Sequence, residues 1–155
     1  MVEKYYTPSI EEFHVGFEYE KNNEPYRRGY DKEIFTEDDM YNDNFMYHFD
    51  VKNTRVKYLD KQDIEECGWE VISETKLKSY DLPSGDAHFI RTVLKRTYVD
   101  EDVIITMYDK QRVIIRRNNT RNLRAYDKNK TFDVFVGVIK NKSELKNIMK
   151  MTNIF

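Results

Sequence analysis

The run Asp102-Val-Ile-Ile-Thr-Met-Tyr-Asp-Lys-Gln-Arg-Val-Ile-Ile-Arg-Arg117 holds two β-branched segments separated by a short polar break. Taking Asp109, Lys110 and Gln111 as a three-residue loop sets Tyr108 opposite Arg112 and Met107 opposite Val113. Val103, Ile105, Met107, Val113 and Ile115 then share one face, and Ile104, Thr106, Tyr108, Arg112, Ile114 and Arg116 share the other. A two-residue loop would mix arginines into the apolar set, because a slip of one residue exchanges the faces of a strand. The loop lacks the Gly or Asn that such connections favour where φ is positive. The stretch predicts an antiparallel hairpin, apolar on one side and basic on the other.

Composition extends this β reading to the rest of the chain. Among 155 residues there are 12 Ile and 12 Val against 6 Leu and 2 Ala, with 12 Tyr and 9 Phe besides. β-Branched and aromatic side chains suit a pleated surface, whereas Ala and Leu favour helices. Residues 131–140 form a nearly continuous apolar run, the pattern of a central strand covered on both sides. Further strands are expected at 44–51, where Phe45, Tyr47 and Phe49 share a face, and at 54–59, 69–75 and 88–99. Near the start, Phe13, Val15, Phe17 and Tyr19 alternate with His14, Gly16, Glu18 and Glu20, the period of a half-buried strand.

Two short helices punctuate the strands. Asp60 has the chemistry of an N-cap, Ile64 and Cys67 follow one turn apart, and Gly68 supplies a left-handed stop. Asn141 and Glu144 make a capping-box pattern ahead of Leu145, Ile148 and Met149. Pro83 and Gly85 mark a turn. Residues 21–44 are a polar, acidic excursion with a short helical turn around 33–40. The expected fold class is α+β: a mainly antiparallel sheet of about six or seven strands with two short α-helices, one at the C-terminus. Its length fits a single domain over residues 1–155.

Cys67 is the only cysteine, which rules out an intramolecular disulfide and a zinc site built on thiolates. The N-terminal residues lack an apolar signal-peptide run, and no stretch reaches the ~20 apolar residues of a membrane span. A cytoplasmic protein with no membrane association is expected. No phosphate-cradling or nucleophile-elbow motif is present among the five glycines, so no cofactor is implied. His14, Glu18 and Glu20 fall on one face of the first strand. Same-face neighbours on a strand lie roughly 7 Å apart, so His14 and Glu18, at about twice that, cannot hold one ion together. His48 and His88 belong to no spaced ligand pattern, and no catalytic set emerges.

Charge is the remaining signal. Net charge is −2, but residues 1–50 carry 13 acids and 5 bases, and residues 51–155 carry 15 acids and 21 bases. Between Lys110 and Lys130 stand eight bases and a single acid, Asp127. One reading makes these a solvated surface that guards an exposed sheet. The other makes Tyr108, Arg112, Arg116, Arg117, Arg121 and Arg124 a site for an anionic ligand, guanidiniums for phosphate and a ring for stacking.

Three segments carry a family resemblance: Tyr5-Tyr-Thr-Pro-Ser-Ile-Glu-Glu-Phe-His-Val-Gly-Phe-Glu-Tyr-Glu20, Val56-Lys-Tyr-Leu-Asp-Lys-Gln-Asp-Ile-Glu65 and Gly137-Val-Ile-Lys-Asn-Lys-Ser-Glu-Leu-Lys146. Together they span about a quarter of the chain, and they resemble small uncharacterised proteins of Bacteroidetes and of their phages and prophages. The resemblance implies a bacterial or phage-infected cell as setting and brings no activity with it. The expectation is a non-catalytic accessory protein that binds a host or phage partner. The alternatives are a nucleotide- or nucleic-acid-binding module on the basic hairpin, and a structural or assembly component of a virion.

Overall fold

The computed structural model describes residues 4–22, 29–41, 51–78, 88–98, 101–108, 112–119 and 131–154. Its contacts divide the chain into two compact units, Met1–Tyr58 with Asn141–Ser143, and Leu59–Lys140 with Glu144–Phe155. Among the described residues there are nine strands in two antiparallel sheets, of four and five strands, and three α-helices. The class is α+β, as expected. The strands exceed the six or seven expected and belong to two sheets.

The first unit holds β1 (Tyr5–Tyr6), β2 (Glu18–Asn22), β3 (Tyr30–Ile34), α1 (Glu37–Tyr41) and β4 (Thr54–Lys57), in sheet order β1-β4-β2-β3. Its core is aromatic: Phe17, Tyr19, Phe35 and Val56 are buried, with Tyr6 and Phe13 packed against them. The Phe13 ring lies 4.8 Å from Phe17, 5.3 Å from Tyr19 and 5.7 Å from Phe35. On this sheet each strand contributes one side chain to a single cluster. The Arg55 guanidinium of β4 sits 4.0 Å from the ring of Tyr5 and 3.7 Å from that of Tyr30. Its Nε donates to Glu20 of β2 at 2.7 Å, so both cation–π and charge-assisted bonding hold the four strands together.

The expected strand over Phe13–Tyr19 is shorter than its alternation suggests. A 3-10 turn at Ile10–Glu12 precedes it, with the Ser9 N–H donating to the Glu12 carboxylate at 3.2 Å. Gly16 then adopts φ +88°, where side-chain-bearing residues are strained. Only from Glu18 does the chain run as a strand. Phe13, Phe17 and Tyr19 still converge, through a turn that brings all three rings inward, while Val15 is exposed.

The acidic excursion contains a hairpin that its sequence hides. β2 extends to Asn22 and pairs with β3 from Glu18↔Ile34 to Asn22↔Tyr30. β3 is an edge strand whose residues are nearly all exposed, so it shows no apolar alternation. What anchors it is polar: the Tyr19 hydroxyl donates to Glu33 at 2.8 Å. Burial and this carboxylate push the Tyr19 phenol well above its ordinary value. The expected strand at 44–51 lies outside the described residues except for Val51, which opens a 3-10 turn.

The second unit carries α2 (Lys61–Glu66), β5 (Glu70–Lys78), β6 (His88–Thr97), β7 (Glu101–Tyr108), β8 (Arg112–Asn119), β9 (Thr131–Val138) and most of α3 (Lys142–Met151). The five strands form a meander in sequence order. Asp60 caps α2 as expected, accepting from the Asp63 N–H at 3.1 Å while the Asp63 carboxylate accepts from the Asp60 N–H at 3.1 Å. Gly68 follows at φ +86°. One face of the sheet supplies Leu94, Val103, Ile105, Val113 and Ile115 to a core completed by Ile64 of α2 and Leu145 and Met149 of α3. Each large apolar side chain so buried contributes roughly 1.5–3 kcal/mol.

The β7–β8 register is the one read from the sequence, with Met107 opposite Val113 and Ile105 opposite Ile115. Met107 is only partly buried and packs at the margin of the core. β9 is a correction. Its apolar run suggested a central strand, yet among the described residues it forms the sheet edge beside β8. An apolar run reports a tendency toward burial, not a number of strand neighbours. Phe135 answers that tendency by packing on the core, while Phe132, Val136 and Val138 stay exposed.

Candidate functional site

The second face of the five-stranded sheet, opposite the core, gathers the side chains that could meet a ligand. Strand registers align its residues into rows. Thr75, Arg91 and Tyr108 lie side by side on β5, β6 and β7. Because Met107 faces Val113, Arg112 stands beside Tyr108, and Arg112 in turn lies opposite Val138 on β9. A row of Arg91, Tyr108 and Arg112 therefore crosses three adjacent strands. Neighbouring strands are about 4.8 Å apart, so the two guanidiniums start from backbones ~10 Å apart with the phenol between them.

The next row is apolar: Val93, Thr106, Ile114 and Val136. Beyond it the charges are neutralised within the chain. Arg116 makes a two-pronged bond to Asp133, Nε to Oδ1 at 2.5 Å and Nη2 to Oδ2 at 3.3 Å. This bond holds the Asp133 carboxyl below its ordinary value and raises the Arg116 guanidinium further. Lys95 pairs with Asp102 at 2.8 Å, and the hydrogen bond from Lys95 holds the Asp102 carboxyl low.

The six arginine and tyrosine candidates thus divide. Tyr108 and Arg112 stand together at one end of the second face. Arg116 shares that face two rows away but is engaged by Asp133. Arg117 lies opposite Val103, on the core face, and its guanidinium donates to the carbonyls of Thr152 at 2.7 Å and Asn153 at 2.8 Å. There it complements the negative end of α3. Arg121 and Arg124 lie outside the described residues.

Arg91 was missed by sequence reasoning. Its Nε is buried without a hydrogen-bond partner, the kind of buried polar atom that calls for an explanation. Its place beside Tyr108 follows from the β6–β7 register. The Tyr98 N–H donates to the Glu101 carbonyl at 2.8 Å, closing a tight hairpin, and counting back from that closure places Arg91 beside Tyr108.

The remaining candidates carry less chemistry. Cys67 caps the end of α2, packs against the core and offers its carbonyl to Arg96 at 3.2 Å. The His14 ring nitrogen bonds the Glu12 carbonyl at 2.9 Å. His48 lies outside the described residues. Among the described residues no three His, Cys, Asp or Glu side chains are grouped to hold a metal ion, and no helix is long and apolar enough to cross a membrane.

Fold and site together define an α+β protein with a basic and aromatic row on one sheet face. Comparison with known proteins adds no family to this description: no protein-family model, no curated protein and no solved structure matches the chain.

Proposed function

We propose that this chain is a non-catalytic binding protein, an accessory protein of phage or prophage type, and that its partner is an anionic ligand presenting phosphate and base, as nucleotides and single-stranded nucleic acids do. The reading rests on one observation: Arg91, Tyr108 and Arg112 lie in one row on adjacent strands. Guanidiniums bind phosphate oxygens in a fork, and a phenol ring offers a stacking surface to any base. Among the described residues Arg112 makes no ion pair, in contrast to Arg116. The neighbouring valines and Ile114 give a base an apolar floor.

The test is fluorescence anisotropy at low salt with a labelled oligo(dT) of about ten nucleotides, and separately with a labelled nucleotide. Binding is expected for the unaltered protein and lost in Arg91→Glu with Arg112→Glu. Each phosphate contact removed lowers the salt slope by ~0.7 on a single strand. No binding of either probe, or equal binding by the double variant, refutes the reading. A role as a structural or assembly component is favoured by a separate observation, the exposed apolar edge of β9.

A further inference from the structure

Positive charge on the second face of the five-stranded sheet is confined to one row. The first row is Thr75, Arg91, Tyr108, Arg112 and Val138, with two arginines and no acid. The second is Ser73, Val93, Thr106, Ile114 and Val136, and the third is Glu70, Lys95, Ile104, Arg116 and Asp133. Alternate residues on a strand are about 7 Å apart, which sets the third row roughly 14 Å from the first. In that third row both cations are answered, Lys95 by Asp102 at 2.8 Å and Arg116 by Asp133 through both prongs. Glu70, exposed and opposite Lys95, adds a further negative charge. A phosphate arriving there meets more acids than bases.

The geometry points to a site one nucleotide deep, whose ligand is a single nucleotide and not a run of nucleic acid. This inference rests on the reading of the Arg91–Tyr108–Arg112 row as a site for phosphate and base. The phosphate lies between Arg91 and Arg112, whose backbones are ~10 Å apart, a gap that two long guanidinium side chains close from either side. The base takes the second row, where Val93 and Ile114 present apolar atoms on either side of Thr106, and all three are half-buried. The Thr106 hydroxyl, at the centre of that floor, is both a donor and an acceptor.

A strand of nucleic acid needs cations that repeat along its backbone, as the grooves of single-strand binders supply. Along the β-strands the second row offers none and the third row is neutralised. Across the β-strands the first row ends in Thr75 beyond Arg91 and in Val138 beyond Arg112, both uncharged. Among the described residues, then, a second phosphate finds no free guanidinium in either direction.

Displacement of a labelled nucleotide from the full chain by unlabelled thymidine 5′-monophosphate and by oligo(dT) of about ten nucleotides measures the depth of the site. Counted per nucleotide, the oligonucleotide is expected to compete no more than about threefold better than the monophosphate, and its salt slope to stay below ~2, since two phosphate contacts give ~1.4 on a single strand. Asp133→Asn frees Arg116 in the third row and is expected to raise competition by the oligonucleotide about fivefold, with competition by the monophosphate unchanged. A larger per-nucleotide advantage for the oligonucleotide, a salt slope of ~2 or more, or an Asp133→Asn protein that folds and gains nothing overturns the one-nucleotide site. The first two results leave the ligand reading standing, whereas failure of the protein to bind either probe overturns both. Competition and salt slope are read on the unaltered protein, so they decide the matter even if the variant misfolds.

Discussion

Arg116 and Asp133 face each other across β8 and β9 and bond through both guanidinium prongs, at 2.5 and 3.3 Å. Both side chains are well exposed, and exposed ion pairs of this kind contribute little to stability. Their effect is on the ligand surface, since a guanidinium held by its own chain's carboxylate is a poor phosphate donor. Arg116→Ala is therefore expected to leave oligonucleotide affinity within about twofold and Tm within ~2 °C. Arg112→Ala should weaken binding by roughly tenfold or more, the cost of a lost charged hydrogen bond. Equal losses in the two variants, by anisotropy titration, would contradict the division of roles.

The Lys95–Asp102 pair makes a prediction about acid. The hydrogen bond from Lys95 holds the Asp102 carboxyl low, burial opposes it, and a bond from Thr97 adds to the lowering. A folded-state value below the unfolded one of ~3.9 means the contribution is complete above the unfolded value. It is lost as pH falls through the folded value. Asp102→Asn is expected to be less stable near neutrality and to lose less stability below about pH 4 than the unaltered protein. Urea midpoints across that range measure it, and parallel curves for the two proteins would refute it.

Asn141 was expected to cap the C-terminal helix, and α3 does begin at the next residue, Lys142. The Glu144 carboxylate reaches back to accept from the Lys140 N–H at 2.6 Å. Asn141 itself is buried, and its amide donates to the Tyr6 hydroxyl at 2.8 Å, which donates to Glu12 at 2.6 Å. Asn141→Ala should thus cost more than the ~1 kcal/mol of a lost cap. The lost hydrogen bond to the Tyr6 hydroxyl adds roughly 0.5–1.5 kcal/mol and brings the total to about 2 kcal/mol. A double-mutant cycle with Tyr6→Phe should show coupling between the two sites. Independent effects would refute the chain of bonds.

What the sequence made legible was local. The β7–β8 register follows from alternation across a short loop, and the α2 cap from Asp60 and Gly68. The β2–β3 hairpin was illegible because β3 is held by Glu33 and Tyr30 rather than by buried apolar residues. The Phe13–Tyr19 alternation misled because a turn with Gly16 at positive φ can aim rings inward at the same spacing as a strand. Arg91 depended on a long-range register set by the Tyr98–Glu101 closure. The position of β9 at the edge was illegible since its side chains report apolarity and not how many strands flank it.

The closing contact of β9 supplies the last prediction. Gly137 lies opposite Val113 on the core face, and a Cβ added there would come within 2.8 Å of the Phe135 ring tip and 3.3 Å of its edge. The glycine thus makes room for a ring that folds along its own strand and covers the core beside it. Gly137→Ala forces that ring aside, and overpacking of this kind costs roughly 1–3 kcal/mol. The cost should fall sharply in a Phe135→Leu background, where no ring needs the space, although Phe135→Leu alone loses some burial. Urea denaturation of the two single variants and the double variant tests this. Additive losses would mean that the ring and the glycine do not share the space, and a stabilised Gly137→Ala would mean that the ring moves at no cost.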